Sequence, residues 1–240
     1  YMVKCKVGMI ACLIGMLAAS DAVANITLDR VILLFQPDAR PIQTIGVTNS
    51  DSERTFAVKT KVVEVINPGT TEKRSIESKA LAVAPNAFEV MAGKTRNVRL
   101  LLREPNKTDV EKVYRVTFTP EAPSRSVEKE TAKGIKTRID IIVGMGALIL
   151  VPPKEVVYKL EASRKGNRLY FVNNSNISTE IQPIDICRKE DDCFRFNGAR
   201  LYPGASFDYE LPPGFEKIGF TLSVRAAGKY SAIEFAPSGD

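Results

Sequence analysis

Beyond residue 24, no stretch of this chain keeps an apolar period of 3.6 residues over eleven positions. An amphipathic helix needs that stripe to bury one face, so helices have no claim on the core. The chain alternates instead. Thr55 to Ile66 reads TFAVKTKVVEVI, with Phe56, Val58, Val63 and Val65 as its apolar markers. Asn25 to Leu34, Ile42 to Thr48, Leu81 to Pro85, Ala87 to Met91, Val98 to Leu102 and Val113 to Thr119 read as further strands. Turn clusters separate them: Asn49-Ser50-Asp51-Ser52, Asn67-Pro68-Gly69 and Ala92-Gly93. Pro120 to Gly134 is polar and charged and reads as a long hairpin loop. After Pro153 the pattern restarts, with strands expected at Val156 to Glu161, Arg168 to Val172, Ile181 to Cys187, Ala205 to Leu211, Ile218 to Ala226 and Ala232 to Phe235. Short strands at regular spacing, twice over, predict an all-β protein. They suit two antiparallel β-sandwiches, residues 25–151 and 154–240, joined at Pro152-Pro153.

The stretch Ile135 to Pro153, IKTRIDIIVGMGALILVPP, divides the two halves. Its first part alternates, with Ile139, Ile141 and Val143 apolar and Arg138 and Asp140 charged between them. From Ile142 to Val151 both faces are apolar, which suits a strand buried on both sides. Pro152-Pro153 ends the ladder, because proline has no N–H to donate. The charges at Arg138 and Asp140 argue against a membrane span, which needs about 20 apolar residues. Two readings stand. The stretch is the last core strand of the first sandwich, or its alternating half faces outward to complete another protein.

The N-terminus reads as an export signal. Lys4 and Lys6 form a basic start, Val7 to Ala19 an apolar run, and Ala22-Val23-Ala24 a small-residue cleavage site, so residues 1–24 are expected to be removed. Cys5 and Cys12 leave with that segment. Cys187 and Cys193 remain, and an even count in an exported chain reads as a disulfide. The alternative, a metal site, has little support from two cysteines without a histidine. Histidine is absent throughout, which excludes Ser-His-Asp and Cys-His catalysis and the usual zinc hydrolases. No glycine-rich phosphate loop and no converging acid pair appears, so neither an enzyme nor a cofactor is expected. The net charge of +6 is spread out rather than blocked, which gives nucleic-acid binding no footprint.

Several stretches in order resemble the periplasmic chaperones of chaperone–usher pilus systems, in the alternate branch that serves CFA- and Ecp-type fimbriae. They are LAVAPNAFEVMAGKTRNVRLLL (81–102), INPGTTE (66–72), VYRVTF (113–118), and the alternating strand that ends in ALILVPP. The small 187–193 bridge falls where this branch tends to have one. The resemblance spans the whole chain beyond residue 24. It implies two immunoglobulin-like domains set at an angle, with a cleft between them. It also implies binding chemistry only, with no small-molecule substrate. An unassembled pilin is a sandwich lacking its last strand; the chaperone lends one until an outer-membrane usher exchanges it for the next pilin's extension.

On that reading Ile135, Ile139, Ile141 and Val143 are the donor side chains. Each apolar side chain buried is worth roughly 1.5–3 kcal/mol, so three or four offer about 5–10 kcal/mol before ordering costs. The free protein could cap the same edge by self-association. The better-studied branch holds the pilin's C-terminal carboxylate with an arginine on the first strand and a lysine on the last. In direct register those positions are Ile32 and Ala147, and neither binds a carboxylate. Arg115, within VYRVTF, and Arg30, two residues before Ile32 and so on its strand face, are the candidate replacements. Internal pairing is the competing role for Arg115, and solvation for Arg30. A structural pilin or adhesin is the alternative function. It would need a free donor extension, and Asn25 leads almost directly into a strand.

Overall fold

The structure is a computed structural model describing residues 26–37, 39–69, 73–74, 77–121, 125–130, 136–141 and 143–238; for 73–74, 125–130 and 136–141 the backbone is described. The expected export signal with Cys5 and Cys12, and also Ile135 and Ile142, lie outside the described residues.

Among the described residues, twelve strands come from the first half. They are β1 (Ile26–Leu28), β2 (Ile32–Leu34), β3 (Ile42–Asn49), β4 (Phe56–Ile66), β5 (Lys73–Arg74), β6 (Leu81–Ala84), β7 (Ala87–Val90), β8 (Thr95–Leu102), β9 (Lys112–Pro120), β10 (Arg125–Glu130), β11 (Lys136–Ile141) and β12 (Met145–Val151). One sheet runs β1-β3-β8-β6, and the facing sheet runs β2-β12-β9-β4-β5 with β7 on β4. Alternate residues of both sheets meet in one core. Ile45 and Val47, Val98 and Leu100, Tyr114, Val116 and Phe118, and Ala147, Ile149 and Val151 are all buried there. β10 and β11 form a separate two-stranded arm, fed by β9 and returning into β12.

The second half supplies β13 (Leu160–Lys165), β14 (Arg168–Asn173), β15 (Thr179–Ile181), β16 (Ile184–Lys189), β17 (Asp192–Phe196), β18 (Ala199–Leu201), β19 (Ser206–Glu210), β20 (Phe220–Ala226) and β21 (Lys229–Phe235). Sheets β13-β14-β19 and β18-β15-β20-β21 enclose an aromatic core in which Phe171 meets the Phe235 ring edge-on at 5.9 Å. The molecule is thus all-β, two immunoglobulin-like sandwiches in series. Each sandwich buries one asparagine at a strand end and satisfies it fully. Asn49 Nδ2 donates to Arg54 O and Val90 O. Asn173 Nδ2 donates to Ile177 O and Leu201 O. A buried amide left unbonded would cost stability, so these bonds fix the local chain path. Arg164 works similarly, donating to the carbonyls of Phe215, Glu216, Ile218 and Ala236 and pinning the final strand's exit.

Several expected elements are corrected. The single strand at 25–34 is two strands in two sheets. Asp29 ends the first pairing, donating its N–H to Gly46 O at 3.0 Å and accepting the Gly46 N–H on its carboxylate, and Val31 O then takes the Leu148 N–H at 2.7 Å. The stretch 135–153 is likewise two strands, β11 and β12. Backbone crowding marks the break, since a Cβ on Gly144 would lie 3.2 Å from Phe118 O. The polar loop at 120–134 contains β10, held by its pairing with β11. Residues 156–159 are not a strand, because Val157 and Lys159 donate to the side chains of Asn176 and Ser175 instead of a neighbouring ladder. The strand expected at 181–187 breaks at Gln182-Pro183, dividing β15 from β16, and β17 and β18 are additional.

Cys187 and Cys193 are bonded across the β16–β17 hairpin, where they are direct cross-strand partners. Closing so small a loop contributes about 2 kcal/mol in the chain-entropy account. Cys187→Ser with Cys193→Ser is therefore expected to lower the melting midpoint of the second sandwich by roughly 10 °C and to leave partner binding nearly unchanged. Scanning calorimetry beside a binding titration checks both halves. Free thiols in protein purified under oxidising conditions contradict the bridge.

Candidate functional site

Strand pairing orders the outer face of the β2-β12-β9-β4 sheet into rows, because cross-strand partners share a face. One row is Leu34, Leu150, Val113 and Val65. Tyr202 of the second sandwich covers it, in a small cluster apart from the two main cores. Tyr202 also lies against the turn after β4, where a Cβ on Gly69 would come within 2.8 Å of the ring. Gly69 has φ +97°, so both its backbone and its neighbour require glycine. The next row is Ile32, Leu148, Arg115 and Val63, and the third contains Gly146, Thr117 and Lys61.

The outward residues of β9 and the position before it therefore trace a path between the two sandwiches. Glu111 donates its N–H to Asn176 O at 2.9 Å, and its carboxylate accepts the Ser178 N–H at 3.2 Å. Val113 lies beneath Tyr202. Arg115 comes next, half-buried, where that cover ends. Burial pushes the Glu111 carboxyl up, against the hydrogen bond from Ser178 and the charge of Arg200. Across the boundary, Arg200, Glu180 and Arg225 form one cross-strand row. Glu180 Oε2 lies 2.9 Å from Arg200 and 2.5 Å from Arg225. Burial raises the Glu180 carboxyl, yet Arg225 and Arg200 together hold it below the ordinary range.

The two candidate anchors are placed differently. Arg115 sits in the row beyond Tyr202, directly opposite Leu148 of the strand that continues from the arm. Arg30 does not share a strand face with Ile32. It falls in the crossover between β1 and β2, exposed, with Asp29 at 3.6 Å. Alternation of faces holds only while the chain stays in one strand, and here it leaves one sheet for another. An exposed pair between neighbours is worth little. Arg30→Ala is thus expected to change partner affinity by less than about threefold, measured by titration calorimetry. The register that joined Ile32 with Ala147 also fails. Ala147 is fully buried in the core, and the outward neighbour of Ile32 is Leu148.

Of the donor residues, Ile139 and Ile141 lie two apart on β11, paired with Val127 and Arg125 of β10. Among the described residues β11 pairs with β10 alone, which leaves its other edge open. Val143 follows β11 outside any strand, with 41% of its surface exposed. Sequence reasoning missed Leu148, Gly146 and Tyr202 as parts of this surface. The Gly144-Met145-Gly146 interruption in an apolar run was the available signal, since glycine inside a strand marks a bend or a close approach.

The family model for pili and flagellar-assembly chaperones, PapD N-terminal domain, matches residues 25–157. A CS1 fimbrial protein of Escherichia coli is 29% identical over 192 residues, 75% of this chain and 79% of that protein. A CFA/I fimbrial protein of Escherichia coli is 27% identical over 195 residues, 77% and 80% of the two chains. Among solved structures, the class 5 fimbriae chaperone CfaA aligns with TM-score 0.54 at 22% identity, over 89% of this chain and 100% of that one. The complex of Salmonella enterica SafA pilin with the SafB chaperone aligns with TM-score 0.57 at 14% identity, over 89% and 97%. At those identities the structural likeness speaks for the fold, and the family match carries the rest: this chain belongs to the pili and flagellar-assembly chaperones, with residues 25–157 as its PapD-type N-terminal domain.

Proposed function

We propose that this chain is exported to the periplasm with processing before Asn25, and there holds an unassembled pilin by lending it β11. The first domain, 25–151, carries the arm, and the second, 154–240, closes the other side of the anchor. The observation that carries this reading is that, among the described residues, β11 pairs on one edge alone, with Ile139 and Ile141 spaced two residues apart. An unpaired edge beside apolar side chains is an aggregation hazard unless it has a use. Addition of a strand to such an edge is an established recognition mode, and chaperone-to-pilin donation is one of its known instances. Backbone bonds along β11 give affinity, and the alternating side chains fill the trench left by the missing strand. Arg115 then receives the pilin's terminal carboxylate at the foot of the arm. An outer-membrane usher takes over the pilin when the next extension displaces β11.

Expression with a pilus operon tests this. A periplasmic extract from cells carrying the neighbouring pilin and usher frames should yield the chain with one foreign pilin-sized partner at one to one. A ladder of the chain with itself would instead identify a structural pilin and overturn the proposal.

A further inference from the structure

The outward positions of β12 are Gly146, Leu148 and Leu150, and the first has no side chain. Arg115 is the partner of Leu148, yet its stem does not stay over that row. A Cβ on Gly146 would lie 3.9 Å from both Cγ and Cδ of Arg115. Gly146 faces Thr117, so the stem has crossed diagonally into the next row, over bare β12 backbone and toward the root of the arm. Arg115 Nε is buried in consequence. Gly146 is not among the glycines with positive φ, so its backbone does not demand glycine. It has no crowding like that of Gly144, whose Cβ would press at 3.2 Å on Phe118 O and Thr119 Oγ1. Glycine weakens a strand interior, and here it leaves the space beside the arginine stem free of branching side-chain atoms.

We infer that Gly146 is the positioning residue for Arg115: bare backbone at this point lets the methylene stem lie flat across β12 and turns the guanidinium toward the foot of the arm. This rests on Arg115 as the carboxylate anchor. A bidentate grip depends on the plane of the guanidinium as well as on its charge, so laying the stem down sets the direction from which a chain end is received. At 3.9 Å a methyl group fits in ordinary contact, whereas the γ carbons of valine occupy the space of the stem. The effect is therefore graded with side-chain size.

Arginine-labelled protein followed by NMR tests this without a pilin, with acetate as the carboxylate probe. In wild type and Gly146→Ala, the Arg115 Nε–H should exchange slowly with water and should shift as acetate is added. In Gly146→Val, exchange should quicken at least tenfold and the acetate response should weaken at least fivefold, while the melting midpoint stays close to wild type. If Gly146→Val does not fold, Gly146→Ser replaces it, and a quickening of at least threefold is expected. Slow exchange and an unchanged acetate response in the folded larger variant would overturn the inference. A wild-type Arg115 that is slow to exchange, and quickens with valine, but ignores acetate would refute the anchor and leave the positioning intact.

Discussion

Ile141→Asp is expected to leave the protein folded and to abolish capture of a pilin. Ile141 ends β11, whose pairing among the described residues is with β10 alone. The sandwich core is closed by Ala147, Ile149 and Val151 of β12, beyond the non-strand residues 143–144. An aspartate at 141 therefore introduces no charge among those three, and the melting midpoint should move by no more than about 2 °C. Inside a pilin's trench the same carboxylate meets apolar walls. The complex then loses one buried side chain, about 1.5–3 kcal/mol, and also bears the desolvation of an unpaired charge. At 1.4 kcal/mol per decade, the combined loss exceeds about a hundredfold in affinity. Thermal unfolding and co-purification, run on the same preparation, check the two halves. Unfolding of Ile141→Asp beside an intact Arg115→Ala would assign residue 141 to this protein's own core and refute the donor register.

Alternation was enough to read an all-β chain and the existence of most strands, because one face of each is buried. Val98 and Leu100 of β8, and Tyr114, Val116 and Phe118 of β9, are buried at every second position, as such a sheet requires. Alternation does not say which sheet a strand joins. Ile26 and Leu33 belong to one core, yet β1 pairs with β3 and β2 with β12. The change of sheet depends on Asp29 meeting Gly46, a contact 17 residues apart that no local pattern announces. Arg30 was misplaced for this reason. The stretch 135–153 hid its break in the same way. Its apolar run continues through Gly144 and Gly146, and only the approach of Phe118 and Arg115 gives those glycines different meanings. β10 was unreadable because RSVEKE has Val127 as its one apolar residue; its pairing with β11 is the whole of its case for being a strand. The candidate site was legible as types of residue and not as a surface. Arg115 stood out as a charge within an apolar strand, while Tyr202 came to the same surface from the second sandwich with nothing nearby in sequence to connect them.

Arg115→Ala is expected to weaken pilin binding between tenfold and a hundredfold, and the loss should depend on the pilin's free chain end. A strand that pairs through backbone bonds and alternate apolar side chains can slip by two residues and still bury them. The terminal carboxylate removes that freedom, because it occurs once and at a fixed place in every copy of a pilin. Arg115 stands where a stop is needed, opposite Leu148 of β12 and one row beyond the cover of Tyr202. A charge-assisted bond shielded from water contributes about 1.5–3 kcal/mol, which is the tenfold to hundredfold expected. Arg115→Lys should restore only part, since an ammonium lacks the planar fork that donates to both oxygens. The deciding measurement pairs wild type and Arg115→Ala with a pilin's C-terminal strand peptide in two forms, free acid and amide. Wild type should prefer the acid by the full factor, and Arg115→Ala should hardly distinguish them. If both proteins lose equally on amidation, the carboxylate is held elsewhere. The second-domain arginines Arg200 and Arg225, which share Glu180, would then be the next cations to replace.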